Sequence, residues 1–166
     1  MTRDDLIKYW TLPRLRRWSK QSVEALGLPP DQASFLSSVG LPDLHEWPWE
    51  FGEQYNDLPK HPRVPSLRIV GVDGPTPICV NLQHQGEVVA VEEDSAESPR
   101  FVNSSVEAFA TFLTLFHRNA DDRDPADDSR VALLLKDEFS AVDPPALRDL
   151  TCYWPHILAQ VRDGLL

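Results

Sequence analysis

Apolar positions along the chain follow two different periods, and the change between them divides it. From residue 67 to 102, runs rich in Val and Ile (Leu67 to Val72, Pro77 to Leu82, Glu87 to Glu92) are separated by Asp73-Gly74 and Gln85-Gly86. Turn dipeptides between such runs predict consecutive antiparallel hairpins, and the connections are too short for parallel crossovers. Arg100 to Val102 adds a short fourth strand. Val88-Val89-Ala90-Val91 does not alternate, which predicts a strand covered on both faces, with helices as the cover.

After Ser104 the period becomes helical. Ser104-Ser105-Val106-Glu107 reads as a capping box, the Ser104 hydroxyl taking the N–H of Glu107 and the Glu107 carboxylate taking that of Ser104. Val106, Phe109, Ala110, Leu113 and Phe116 then form one face for the sheet, and Asn119 marks the end. Val131, Leu134, Leu135 and Phe139 mark a further helix. Asp143-Pro144-Pro145 reads as cap and first turn of a last one, with Leu147, Leu150, Trp154, Leu158 and Val161 inside and a kink at Pro155. Toward the amino terminus, Thr2 caps a helix from Arg3 to Trp10, and Asp31 begins a turn or two carrying Phe35, Leu36 and Val39 before Gly40. Leu6, Trp10, Leu15 and Trp18 are the inner positions there. These elements predict an α+β fold, a central antiparallel meander with helices packed around it, in a single domain over 1–166 whose first 30 residues are a helical segment.

Composition changes the picture mainly through charge. The 166 residues hold 26 Asp plus Glu against 16 Lys plus Arg, a formal charge of −10. Phosphate-backbone binding needs clustered cations, so this balance argues against a direct nucleic-acid binder and favours a basic partner. Residues 1–20 run the other way, with six basic side chains against two acidic ones, and Arg14 to Lys20 reads as a solvated helix face. At 42% hydrophobic residues the chain has enough apolar surface for a core. Fifteen prolines against seven glycines, most of them in connections, predict short elements. No run approaches the roughly 18 apolar residues of a membrane helix, and Asp4, Asp5 and Lys8 replace the apolar stretch of a signal peptide, so a cytoplasmic protein is expected.

No catalytic constellation emerges. Cys79 with His84 can in principle pair as nucleophile and base, but a thiol inside an apolar strand stays protonated. Cys152 and His156 stand four apart without a second pair, and Asp121 to Asp128 lacks the central Gly and terminal Glu of a calcium loop and reads as a solvated connector. His45, His61 and His117 are isolated and expected at the surface or a helix end. The expectation is a binding protein and not an enzyme, with no cofactor and no metal.

Two segments free of Lys and Arg stand out as candidate surfaces. The first, Leu41 to Leu58, interleaves Trp47, Trp49, Phe51 and Tyr55 with Asp43, Glu46, Glu50, Glu53 and Asp57. The second, Glu87 to Ser98, carries Glu87, Glu92, Glu93, Asp94 and Glu97. Either the rings are exposed as a binding surface or they cover one end of the core while the acids face water.

The order of Phe35-Leu36-Ser37-Ser38-Val39-Gly40-Leu41-Pro42, Gly71-Val72-Asp73-Gly74, Ile78-Cys79-Val80-Asn81, Gly86-Glu87-Val88-Val89 and Arg100-Phe101-Val102-Asn103-Ser104-Ser105 resembles the SUKH superfamily. With Tyr153-Trp154-Pro155-His156-Ile157-Leu158 at its close, the chain looks most like the SUKH-4 immunity proteins of actinobacteria, from about Phe35 onward. The resemblance implies the same α+β fold and binding of a cognate polymorphic toxin, often a nuclease or nucleic-acid deaminase, with no catalytic motif. On that reading Asp43, Glu46, Trp47, Trp49, Glu50, Glu53, Glu92, Glu93, Asp94 and Glu97 are the candidate contact residues, Trp47 or Trp49 being the anchor. The alternative is a regulatory or scaffolding SUKH domain with a non-toxin partner.

Overall fold

The computed structural model describes residues 1–46, 49–51, 55–91, 98–120 and 127–166. In chain order the elements are α1 (Arg3–Trp10), β1 (Leu15–Arg16), α2 (Lys20–Glu24), α3 (Pro30–Ser38), β2 (Leu41–Pro42), β3 (His45–Glu46), β4 (Trp49–Glu50), β5 (Leu67–Asp73), β6 (Thr76–Asn81), β7 (Glu87–Ala90) and β8 (Arg100–Asn103). Then follow α4 (Val106–Ala120), α5 (Asp128–Val142) and α6 (Tyr153–Arg162). Strands β3 to β8 form one antiparallel sheet in chain order, and β1 pairs with β2 apart from it. The meander and its turns are those the sequence predicts: Asp73 pairs with Thr76 around Gly74, and Asn81 with Glu87 across the turn that contains Gly86. Gly74 and Gly86 have φ of 54° and 78°, a region that L side chains rarely enter.

Helix α4 is buried on two sides. Val106, Phe109, Ala110 and Leu113 lie in the core with Val70, Ile78, Val80, Val88 and Val102 of the sheet, while Phe112 stacks on Phe139 of α5 at 4.0 Å and 11°. Trp154 of α6 packs between Phe109, Phe112 and Phe139, at 5.0 to 6.4 Å from each ring. The other sheet face carries a small separate cluster of Leu67, Cys79, Val89 and Val91, with Val64 of the loop before β5 packed against it. Both faces of β7 are therefore buried, as predicted, but on the second face a loop residue takes part where a helix was expected.

The start of α4 corrects the capping box. Ser105 caps the helix, its Oγ accepting the Ala108 N–H at 3.1 Å. Asp143 claims Ser104 instead, accepting its N–H and its hydroxyl at 2.8 Å each. Glu107 turns outward to Arg3 of α1 at 2.8 Å. The Val106 N–H is taken by the Gln32 side chain of α3 at 3.1 Å, so a distant element supplies what the local motif was expected to.

Three further expectations change. Pro155 is the third residue of α6 and produces no kink, because a first-turn N–H has no intrahelical acceptor. Leu150 precedes that helix and is 78% exposed, and Asp143 does not cap the following 3-10 turn (Pro144–Leu147) with its side chain. Leu134 points outward, whereas Val131, Leu135 and Phe139 are buried as read. Of the amino-terminal reading, the helix from Arg3 to Trp10 holds, since Thr2 and Asp5 cap α1 reciprocally and Leu6, Trp10, Leu15 and Trp18 are buried. Arg14 to Lys20, however, is not a helix face: Leu15 and Arg16 form β1, and α2 begins only at Lys20. Most of the acidic connector, residues 121–126, lies outside the described residues.

Candidate partner-binding surface

The register of the sheet gathers the two acidic segments at one end. Glu46 and Trp49, a pair of the β3–β4 ladder, stand at the end of β4 that meets Asp73. At that end Asp73 pairs with Thr76, and β6 begins where β7 finishes, with the Val91 N–H on the Pro77 carbonyl at 3.0 Å. Val91 and Arg100 therefore stand at the same end of the sheet as Glu46 and Trp49. Four strand spacings separate β4 from β8, roughly 19 Å. Trp47, Glu53, Glu92, Glu93, Asp94 and Glu97 lie outside the described residues, as does the Glu46 side chain.

Among the described candidates, Trp49 is not a surface anchor. It is 6% exposed, with its ring edge-on to Phe116 at 4.6 Å and its indole N–H donating to the Tyr153 hydroxyl at 2.7 Å. Strand alternation explains the correction: Trp49 faces the core from β4 while the next residue, Glu50, is exposed. Phe51 is buried too, and its ring lies where a Cβ on Gly71 would come within 2.0 Å, so only glycine fits beneath it. Rings as the cover of the core is thus the correct reading for Trp49 and Phe51.

Tyr153 in turn donates to Asp73 at 2.7 Å, which makes a polar chain from Trp49 through Tyr153 to the end of β5. Burial raises the Asp73 carboxyl above the usual carboxylate value, against the Tyr153 hydrogen bond and the charge of Arg100. Burial, followed by the charge of Asp73, raises the Tyr153 hydroxyl well above its ordinary value.

The first segment is held from beneath by Arg16. This guanidinium, 9% exposed in a stretch expected to be solvated, bonds Asp43 at 2.9 Å, the Phe51 carbonyl at 3.2 Å and the Asn56 side chain. The Trp18 indole donates to the Tyr55 carbonyl at 3.1 Å, and β1 pairs with β2 immediately before Asp43. The Arg16 guanidinium compensates the Asp43 charge locally, and Asp43 also lies 3.3 Å from His45, while Glu50 stands exposed opposite His45. Arg16, Asp73 and Tyr153 were missed because their roles depend on partners 27 to 104 positions away.

Elsewhere the titratable groups serve structure. The Cys79 thiol is pushed up to about 12 by burial, which makes it a poor nucleophile at neutral pH. His156 bonds the Leu150 carbonyl at 2.7 Å, and Cys152 is buried against the Pro145 carbonyl. His61 is buried rather than exposed, its Nδ1 accepting the Arg63 N–H at 3.3 Å. Among the described residues no group of three or more His, Cys, Asp or Glu is placed to hold a metal ion, and no helix is long and apolar enough to cross a membrane.

Compared with known proteins, the chain matches the family model described as SUKH-4 immunity protein over residues 1–160. The match includes the amino-terminal helices, which the sequence motifs left outside. No curated protein and no solved structure matches it.

Proposed function

The chain belongs to the SUKH-4 immunity protein family, and from this premise we propose that it neutralises a cognate polymorphic toxin, a nuclease or nucleic-acid deaminase, by covering a basic surface of it. The family match over residues 1–160 carries the reading. The charge of −10 supports it, as does the departure of both acidic segments from one end of the sheet. Enzymes that act on nucleic acids present Lys and Arg to phosphates, and an acidic surface at the end of a sheet whose strands β4 to β8 span roughly 19 Å would meet such a groove as the substrate backbone does. Glu50, Glu53, Glu92, Glu93, Asp94 and Glu97 steer the encounter, and Trp47 is the remaining candidate anchor now that Trp49 is assigned to the core.

The test uses the cognate toxin domain, to be sought in the neighbouring gene, with stopped-flow association measured at low and high salt. Replacing Glu92, Glu93 and Asp94 by Gln, Gln and Asn should slow association by about tenfold at low salt and flatten its salt dependence. Trp47→Ala should speed dissociation, at a cost of about 2 kcal/mol. An unchanged rate and salt slope would remove the acidic segment from the contact. A neighbouring toxin that binds nothing here would favour the regulatory role.

A further inference from the structure

Helix α5 packs on α4, α6 and the 3-10 turn (Pro144–Leu147), and Leu133 and Leu134 on its outer face are exposed. Between α5, the 3-10 turn (Pro144–Leu147) and α6 runs a groove of about 580 Å³ with Ala132, Leu147, Leu158 and Ala159 among its lining. Two leucines of the same lining project from it, Leu133 at 65% and Leu150 at 78% exposure. Ridge and hole therefore belong to one patch, which is what an isologous two-fold contact needs. Neither leucine contributes to the core, and burying both would remove substantial apolar surface from water.

Charge narrows the choice of occupant. The whole chain carries −10 and repels a second copy over most of its surface, but this rim is close to neutral. Of the three cations that line it, Lys136, Arg148 and Arg162, two are paired with acids: Arg148 with Asp149 at 3.1 Å and Arg162 with Asp163 at 2.8 Å. The Asp149 carboxyl is held down to about 2 by hydrogen bonds from the Thr151 hydroxyl and N–H and by Arg148, so it remains an anion at neutral pH. Cations beside anions around one apolar groove give a pattern complementary to itself under a two-fold axis, and complementary neither to a strongly basic nor to a strongly acidic partner.

We propose that the groove between α5 and α6 is the contact face for a second copy of this chain, with Leu133 and Leu150 of each protomer seated in the groove of the other. A contact between copies does not rest on how toxin is bound, since its test uses this chain alone.

Sedimentation velocity on the full chain from about 5 to about 200 µM tests it, since a modest isologous contact associates in that range. The expected result is a shift from 18.8 kDa to twice that mass with rising concentration. Leu133→Ser with Leu150→Ser should weaken association by at least roughly tenfold, with thermal unfolding unchanged, because both side chains are exposed in the monomer. Leu165→Ser, equally exposed but outside the groove, should leave association as in the wild type. A wild type that is monomeric at about 200 µM overturns the proposal and leaves the groove to another partner. A dimer indifferent to the two groove substitutions overturns it as well, by placing the contact elsewhere.

Discussion

Removing the Asp143 carboxylate should cost far more than removing the Glu107 carboxylate that the local motif points to. Asp143 is 4% exposed and accepts three hydrogen bonds, from the Asn103 amide at 3.0 Å and from the Ser104 N–H and hydroxyl at 2.8 Å each. Asn103 is fully buried, and its other side-chain atom, Oδ1, is committed to the Trp154 indole at 2.9 Å. In Asp143→Ala the Asn103 N–H keeps no acceptor, at a cost of about 1 to 3 kcal/mol. Ser104 is exposed and water replaces its partner, so its two bonds lose only their net value of about 0.5 to 1.5 kcal/mol each. Relief of the desolvation of a buried charge offsets part of the loss, which leaves roughly 3 kcal/mol out of the 5 to 15 typical of a domain. Glu107→Ala breaks only a part-exposed ion pair with Arg3 and should cost below about 1 kcal/mol. Urea unfolding followed by tryptophan fluorescence measures both, provided the slope with denaturant is unchanged. An Asp143→Ala variant within about 0.5 kcal/mol of the wild type would refute the reasoning that this carboxylate ties β8 and α4 to the end of α5.

Two other outcomes follow from single contacts. Gly71→Ala should destabilise by about 1 to 3 kcal/mol, because the new Cβ falls 2.0 Å from the Phe51 ring and 2.8 Å from the Glu50 carbonyl, and Phe51→Leu in the same chain should recover part of it; thermal melts of the three variants decide. Burial raises the folded-state value of Asp73 above the ordinary 3.8, so its contribution to stability is full below the ordinary value and is lost as pH rises through the raised one. Asp73→Asn lacks that loss, so its melting temperature relative to the wild type should be higher at pH 7 than at pH 3; equal differences at the two pH values would remove the cause.

How much of this protein is legible in one dimension depends on the range over which each feature is decided. The hairpins of β5, β6 and β7 were readable because a hairpin is set by adjacent residues: Gly74 and Gly86 supply backbone angles that other residues avoid, and the β-branched runs between them can hardly pair otherwise. The buried stripe of α4 was equally readable, since a repeat of three and four positions places Val106, Phe109, Ala110 and Leu113 on one side whatever covers them. The acidic character of the segments around Glu50 and Glu92 is likewise a property of the chain itself. Only the tertiary structure decided which acid meets which base and which ring turns inward. Asp143 outcompetes Glu107 for Ser104 because the end of α5 is brought beside β8, and Arg16 leaves water because Asp43, Phe51 and Asn56 converge on it. Trp49 sinks into the core because Tyr153, 104 positions away, offers its indole a partner. A polar group is buried only where distant segments satisfy it, and nothing in its immediate neighbours says whether they will.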